Sequence, residues 1–380
     1  MQSDVLIVGG GVVGSACARA LARRGASVTL VESGPRPGTA SLAAAGMLAP
    51  LAEAGPEDPM LGITVRARDF YTELGPALLE ETGIDIGLSC SGILEVAFSE
   101  DEVVGVRKEV AWHRQCGFAA EWMSAEELQE LAPGIAPAAL GAAYAPEDGA
   151  LNPLALLQAL TKSAQRGGAK FIRGEEVREL LIADSKVQGV RTSLKDRSAD
   201  VVLIAGGAWS GQIAGLPRPL SVRPVRGQMA AMSWPGGNKE MIVYGAGGYV
   251  MPQAGGAVAG STMENAGFDV TVTEAGLDHI RSVVNQLLPA LGDVLFSRTW
   301  VGLRPCTPDG RPIVGADSHL PGLWYATGHG RNGILLAGYT GELLAQLYFG
   351  EEIEHDVSPI SPSRFWDWRW LQSRGGGSSE

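Results

Sequence analysis

The apolar positions of this chain alternate between short unbroken runs and helical stripes. Residues 5–8 (V-L-I-V) form an apolar run of strand length, closed by the glycines that follow. Residues 15–24 are Ala-rich with helical spacing, and residues 27–31 return to an apolar run, so the opening reads strand, helix, strand. Farther on, Leu61, Val65, Tyr71, Leu74, Leu78 and Leu79 fall roughly on one side of a helix over 59–82. A second helix is predicted over 154–166, with Asn152 as its cap and Pro153 in its first turn. Runs at 169–172 and 201–205 predict strands, the second entering a glycine turn from Gly206 to Ser210 that contains Trp209. Residues 229–263 alternate apolar positions with Gly and Pro, as antiparallel strands do. A last strand over 323–327 leads through the turn 328–333 into a helix over 334–348.

This order predicts an α/β fold, α+β overall, in which a Rossmann-like domain is interrupted by an antiparallel-sheet domain. The boundaries read as 1–86, 146–218 and 301–372 for the nucleotide domain, and 87–145 and 219–300 for the inserted one. Residues 373–380, ending G-G-G-S-S-E, read as a flexible tail.

The first turn carries chemistry. Gly9, Gly11 and Gly14 fill the glycine positions of G-x-G-x-x-G, and Glu32 closes the second strand. The first glycine allows a tight turn, the second lets a pyrophosphate approach the backbone, and the third lets helix and strand pack closely. The helix start then offers free N–H groups and partial positive charge to the phosphates. A carboxylate at Glu32 accepts bonds from ribose hydroxyls and repels a 2′-phosphate, which disfavours NADP and leaves FAD and NAD. A nicotinamide dehydrogenase usually continues its α/β alternation, whereas this chain breaks it near residues 90–145. That favours FAD.

Composition removes other classes. A formal charge of −12 argues against nucleic acid and anionic membrane surfaces as partners. The four cysteines are scattered, with no C-x-x-C, and the five histidines form no metal motif, so reduced thiols and no metal site are expected. The nucleotide strand starts at residue 4 and leaves no room for a signal peptide, and no apolar run is long enough for a transmembrane segment. A cytoplasmic protein is expected.

Four further stretches make the reading specific: Ser41 to Met47 (S-L-A-A-A-G-M), Ala205 to Ser210 (A-G-G-A-W-S), Gly302 to Pro305 with Thr307 to Gly310 (G-L-R-P and T-P-D-G), and Gly328 to Leu336 (G-H-G-R-N-G-I-L-L). In collinear order these resemble the bacterial glycine oxidases, within the D-amino acid oxidase and sarcosine oxidase group of flavoproteins. The resemblance implies a non-covalent FAD, oxidation of a small amino acid to its imine, and O2 reduced to hydrogen peroxide. It implies flavin contacts at Val12, Val13, Glu32, Ser33, Ser41, Ala45, Gly46, Met47, Val177 and the turn His329, Gly330, Arg331, Asn332, Gly333, Ile334 and Leu335. With these go Gly206 and Trp209 of the other glycine turn. It implies that Tyr249, Arg304 and Arg331 face the substrate, and Met263 is a further candidate for the pocket wall. Gly247 and Gly330 stand where relatives carry larger residues, which predicts a widened pocket. The thiol that tethers flavin in sarcosine oxidases would align near Gly302, so Cys306 is not its equivalent.

An amino acid oxidised by hydride transfer must present its carboxylate to a cation, and the guanidinium fork of Arg304 meets both oxygens. A surface ion pair is the ordinary alternative, which a glycine-bounded turn around Arg304 disfavours. Tyr249 would add a phenolic hydrogen bond. Arg331 and the helix start beside it would stabilise negative charge on the reduced ring. His329 fits an imidazole packed beside the flavin rather than a base. The stripe Phe365 to Trp370 (F-W-D-W-R-W) is expected to fold over its own domain or a neighbouring subunit of a homo-oligomer. Two other readings stay open: a dehydrogenase for proline, sarcosine or a D-amino acid that passes electrons to a quinone or partner protein, and a non-catalytic flavin-binding subunit.

Overall fold

The structure, a computed structural model, describes residues 3–234, 241–253 and 255–365. It opens with strand β1 (Ser3–Val8), helix α1 (Val12–Arg23) and strand β2 (Val28–Glu32). The helix starts at Val12 rather than near residue 15, because Gly11 turns directly into it. β1 is central in the first sheet, pairing in parallel with β2 on one side and with Asp196–Ile204 on the other. Lys170–Arg173 extends the sheet beyond β2. Leu323–Thr327 extends the other side in parallel, and Ile313–Ala316 closes that edge antiparallel. Five parallel strands thus end at one edge, at Val8, Glu32, Arg173, Ile204 and Thr327. Crevices at the carboxyl ends of such strands are where doubly wound folds bind ligands.

The second sheet runs, in spatial order, Phe296–Cys306, Arg223–Met232, Gly256–Gly260, Gly248–Gln253, Ile242–Gly245, Ile93–Ala97, Gly141–Ala145 and Glu121–Ser124. It is antiparallel except where Ile242–Gly245 lies parallel to Ile93–Ala97. Helix Glu274–Leu287 covers one face with Ile280, Val283, Val284 and Leu287. The other face carries Met229, Tyr249, Met251 and Val258, which pack with Ala45 and Ala49 of the nucleotide side. Strand Phe296–Cys306 runs straight through residue 301, so the second sheet continues past the boundary expected there. The reason is pairing: the strand keeps its ladder with Arg223–Met232 as far as Cys306.

Asn152 caps helix Pro153–Arg166, its Oδ1 accepting from the N–H groups of Leu154 (3.0 Å) and Ala155 (3.1 Å). Helices Glu100–Gln115 and Ala125–Leu131 each begin with a capping box, Ser99 with Glu102 and Ser124 with Glu127. Among the described residues no helix is long and apolar enough to cross a membrane. Phe365 ends a short 3-10 turn, and the rest of the tryptophan stripe and the 373–380 tail lie outside the described residues.

Candidate active site

A cavity of about 420 Å³ runs from the carboxyl ends of the parallel strands to the inner face of the second sheet. Its nucleotide end is built almost entirely of backbone. Gly9 has φ +108°, and a side chain there would collide with the Ala205 carbonyl. A Cβ at Gly11 would lie 2.9 Å from Ser41 Oγ, which accepts the Val12 N–H at 3.1 Å. Gly14 does not line the cavity. A Cβ there would strike the Gly9 carbonyl, so its role is close packing of α1. Glu32 Oε2 accepts the Gly10 N–H at 2.6 Å, and its Oε1 accepts those of Gly34 (3.0 Å) and the Ser33 hydroxyl (3.1 Å). The carboxylate is therefore held at the cavity wall by local donors. Trp209, under the Arg36 guanidinium at 5.4 Å, and Val177 line this same end.

These residues fit a dinucleotide cofactor: a glycine turn that admits no side chain, a helix start whose N-cap Gly11 supplies no capping side chain, and an acid at the second strand's end. Ser41, Ala45, Gly46 and Met47 line the middle of the cavity, as do Gly206, His329, Gly330, Arg331, Asn332, Gly333 and Ile334. Leu335 does not. It is buried one residue farther into helix Gly333–Phe349, in the core cluster that also holds Val12 and Leu74. His329 is buried, its Nε2 paired with the Thr340 hydroxyl at 3.1 Å, and burial pushes its pKa down to about 4. A neutral imidazole with that partner fits a packing group better than a base.

At the other end the polar groups come from separate elements. Arg304 lies within strand Phe296–Cys306, not in a turn. Its Nη1 donates to the Thr262 carbonyl at 3.1 Å and its Nη2 to the Ser261 hydroxyl. Burial lowers its pKa, Tyr249 pulling the other way, and among the described residues it has no carboxylate within ion-pair distance. Tyr249 is buried beside it, its pKa pushed up to about 12 by desolvation, and its hydroxyl meets Met229 Sδ at 3.7 Å. Arg331 Nη2 donates to the Tyr244 hydroxyl at 2.9 Å and pairs with Glu53 at 3.2 Å. Burial works against this cation. Glu53 and Tyr244 outweigh it and hold its pKa above the ordinary value.

Two expectations fail here. Met263 is 53% exposed and does not line the cavity, because it follows the residues that turn inward to Arg304. Gly247 sits in the hairpin turn between Ile242–Gly245 and Gly248–Gln253, where a Cβ would meet His279 of the covering helix rather than the cavity. It therefore does not widen the pocket, whereas Gly330 does line it. Cys306 is likewise absent from the lining.

Sequence reasoning missed Glu53, Tyr244, Ser261 and Gly227. Gly227 lies on strand Arg223–Met232, where a Cβ would collide with the Arg304 guanidinium. A lone glycine inside an apolar-alternating strand was the available signal. On the opposite face of that strand, Arg226 and Gln228 converge on Glu264. Its Oε1 accepts from Gln228 Nε2 at 2.7 Å, and its Oε2 accepts from Arg226 Nε at 3.0 Å. Gln228 N–H also donates to the Thr262 hydroxyl at 2.9 Å. This network pins the segment whose carbonyl holds Arg304.

The dinucleotide motif thus opens a cavity whose far wall carries the half-buried Arg304 guanidinium. Residues 4–347 match the family model described as FAD dependent oxidoreductase. The glycine oxidase of Geobacillus kaustophilus is 34% identical over 365 residues, 95% of this chain and 97% of that protein. The glycine oxidase of Pseudomonas aeruginosa is 34% identical over 96% of this chain and 99% of its own length. The crystal structure of the Geobacillus kaustophilus enzyme superposes with a TM-score of 0.91 over 96% of this chain and 99% of that one. An iminodiacetate oxidase structure from a Chelativorans species, 28% identical, gives 0.85 over 94% and 98%. The chain belongs to the FAD-dependent oxidoreductase family, with the glycine oxidases among its relatives.

Proposed function

We propose that this enzyme oxidises glycine or another small primary or secondary amino acid to its imine, which water hydrolyses to a keto acid and ammonia or an amine. FAD, when bound, supplies the two-electron acceptor for the Cα hydride and passes the electrons to O2, giving hydrogen peroxide. The observation that carries the reading is Arg304, a half-buried, desolvated cation on the cavity wall with no carboxylate partner among the described residues. Leaving a desolvated charge unpaired is costly, and a bound carboxylate meets that cost with two charge-assisted bonds. Tyr249 stands beside it to hold the same carboxylate, and its raised pKa keeps the phenol protonated as a donor. Ser261 and Thr262 fix the fork's direction, so the substrate is held by its acid end with Cα toward the centre of the cavity. Hydride transfer from a neutral amine leaves one N–H proton, which passes to solvent.

The cofactor is proposed to be held non-covalently, since no cysteine lines the cavity among the described residues. Acid precipitation should leave the flavin in the supernatant. The deciding experiment is anaerobic mixing of the yellow protein with glycine, sarcosine, alanine and proline. At least one should bleach the flavin band, and admitted oxygen should restore it with one peroxide per turnover. No bleaching by any amino acid would overturn the reading. Bleaching with no reoxidation by oxygen would replace the oxidase by a dehydrogenase.

A further inference from the structure

The substrate end of the cavity carries a carboxylate that the proposed reaction does not use. Glu53 lines the cavity, its side chain 15% exposed, and pairs with Arg331, whose side chain is 36% exposed. Arg331 is thus neutralised within the protein, and Arg304 is not. Two guanidinium groups and one carboxylate leave a single positive charge in excess. A substrate with one carboxylate balances it, and a second carboxylate does not.

We infer that Glu53 is a specificity-determining residue: by occupying Arg331 it confines this end of the cavity to amino acids with one carboxylate and excludes those with two. The inference rests on the reading of the cavity as a site for amino acid carboxylates.

The placement of Glu53 is built into the fold. Its loop is anchored on both sides. Leu51 N–H donates to Asp148 Oδ2 at 3.1 Å, and Asp148 is fully buried against Arg68 at 2.9 Å. Past Glu53, the Ala54 carbonyl is held by His113 Nε2 at 3.1 Å. Its charge reaches the rest of the site, acting on Arg304 and on Tyr249 as well as on Arg331. A second substrate carboxylate seeking Arg331 would have to displace Glu53 from it or lie beside that like charge. Discrimination here comes from Glu53 occupying the cation that a second carboxylate would need, not from lack of room.

The test is equilibrium binding to the holoenzyme of two acids that lack an amine and are not oxidised. These are (methylthio)acetate, with one carboxylate, and thiodiacetate, its two-carboxylate counterpart. Calorimetry should show the wild type preferring (methylthio)acetate. Glu53→Gln should shift the ratio of dissociation constants toward thiodiacetate by at least about tenfold, the scale on which close charge pairs decide selectivity. Glu53→Ala carries the same expectation should the Gln variant not fold. In an Arg331→Gln background the shift should vanish, because the freed cation is gone. Turnover should follow, with kcat/KM for iminodiacetate over sarcosine rising in Glu53→Gln. A wild-type ratio in Glu53→Gln, a wild type that prefers thiodiacetate, or an equal shift without Arg331 would each overturn the role of Glu53. Failure of both acids to bind any variant would instead count against the carboxylate site itself.

Discussion

The two ends of the cavity are built on opposite plans. The nucleotide end draws its turn, its helix start and its acid from one continuous segment, Gly9 to Gly34, and its donors are mostly backbone N–H groups. The substrate end takes Glu53, Tyr244, Tyr249, Ser261, Arg304 and Arg331 from distant parts of the chain, and its donors are side chains. Backbone donors move only if the fold moves, so a substitution at the first end weakens grip on the cofactor in proportion to what it removes. Side chains from separate elements are held by one another. At the second end a change at a residue that touches nothing bound can still disable the site.

The largest effect should come from Arg304→Ala. Each charge-assisted bond of its fork contributes on the order of 1.5–3 kcal/mol, so kcat/KM for the best amino acid should fall by at least about 100-fold. Flavin content should stay near wild type. Near-normal kcat/KM would erase the contrast and move the carboxylate site toward Arg331.

Gly227→Ala comes next, and it tests the contrast most directly. The added methyl meets the far end of the Arg304 side chain, which is pushed off Ser261 and Thr262 while the strand stays paired. Steady-state kinetics should show a loss of roughly tenfold or more in kcat/KM, with melting temperature and flavin content little changed, as expected of misplacement at a reacting centre. If activity fell only with flavin content, the glycine would belong to the fold rather than to the fork.

At the nucleotide end, Glu32→Arg replaces the proposed acceptor of ribose hydroxyls by a cation. The dissociation constant for FAD should rise by about tenfold, the equivalent of one hydrogen bond to a charged group. At saturating FAD, kcat should recover. A variant that binds FAD normally but turns over slowly would contradict the division between the two ends.

The smallest effect concerns pH. His329 is held neutral, with a pKa near 4 against an ordinary 6.5, because burial disfavours the imidazolium. The unfolded chain takes up the proton first. The stability this residue contributes is complete above pH 6.5 and is lost as pH falls from 6.5 toward 4. Melting curves of wild type and His329→Asn should converge over that range by a few degrees at most. A constant gap from pH 7.5 to 4.5 would show that the imidazole does not titrate this way.

Much of the nucleotide end was open to sequence reasoning because its determinants are local. A strand-length apolar run, three spaced glycines and a terminal acid specify β1, α1 and β2 through backbone sterics and helix geometry alone. Asn152 and Pro153 marked their helix for the same reason. The capping boxes at Ser99 and Ser124 were equally local signals, and reading apolar periodicity passes over them.

What the sequence by itself determined is therefore the fold class and the glycine turn and acid that line one end of the cavity, with Arg304, Tyr249 and Arg331 singled out at the other. Only the tertiary structure decided which of their neighbours count. It set Met263 and Gly247 outside the cavity and brought Glu53 to Arg331. It also placed Gly227 under Arg304, through the register that sets Gly227 opposite Gly302 and Val225 opposite Arg304. Side chains alternate across a strand, so a one-residue slip in that pairing would send Arg304 to the opposite face. Such a register is fixed by burial along two whole strands joined across most of the second domain, and no local pattern near Arg304 encodes it.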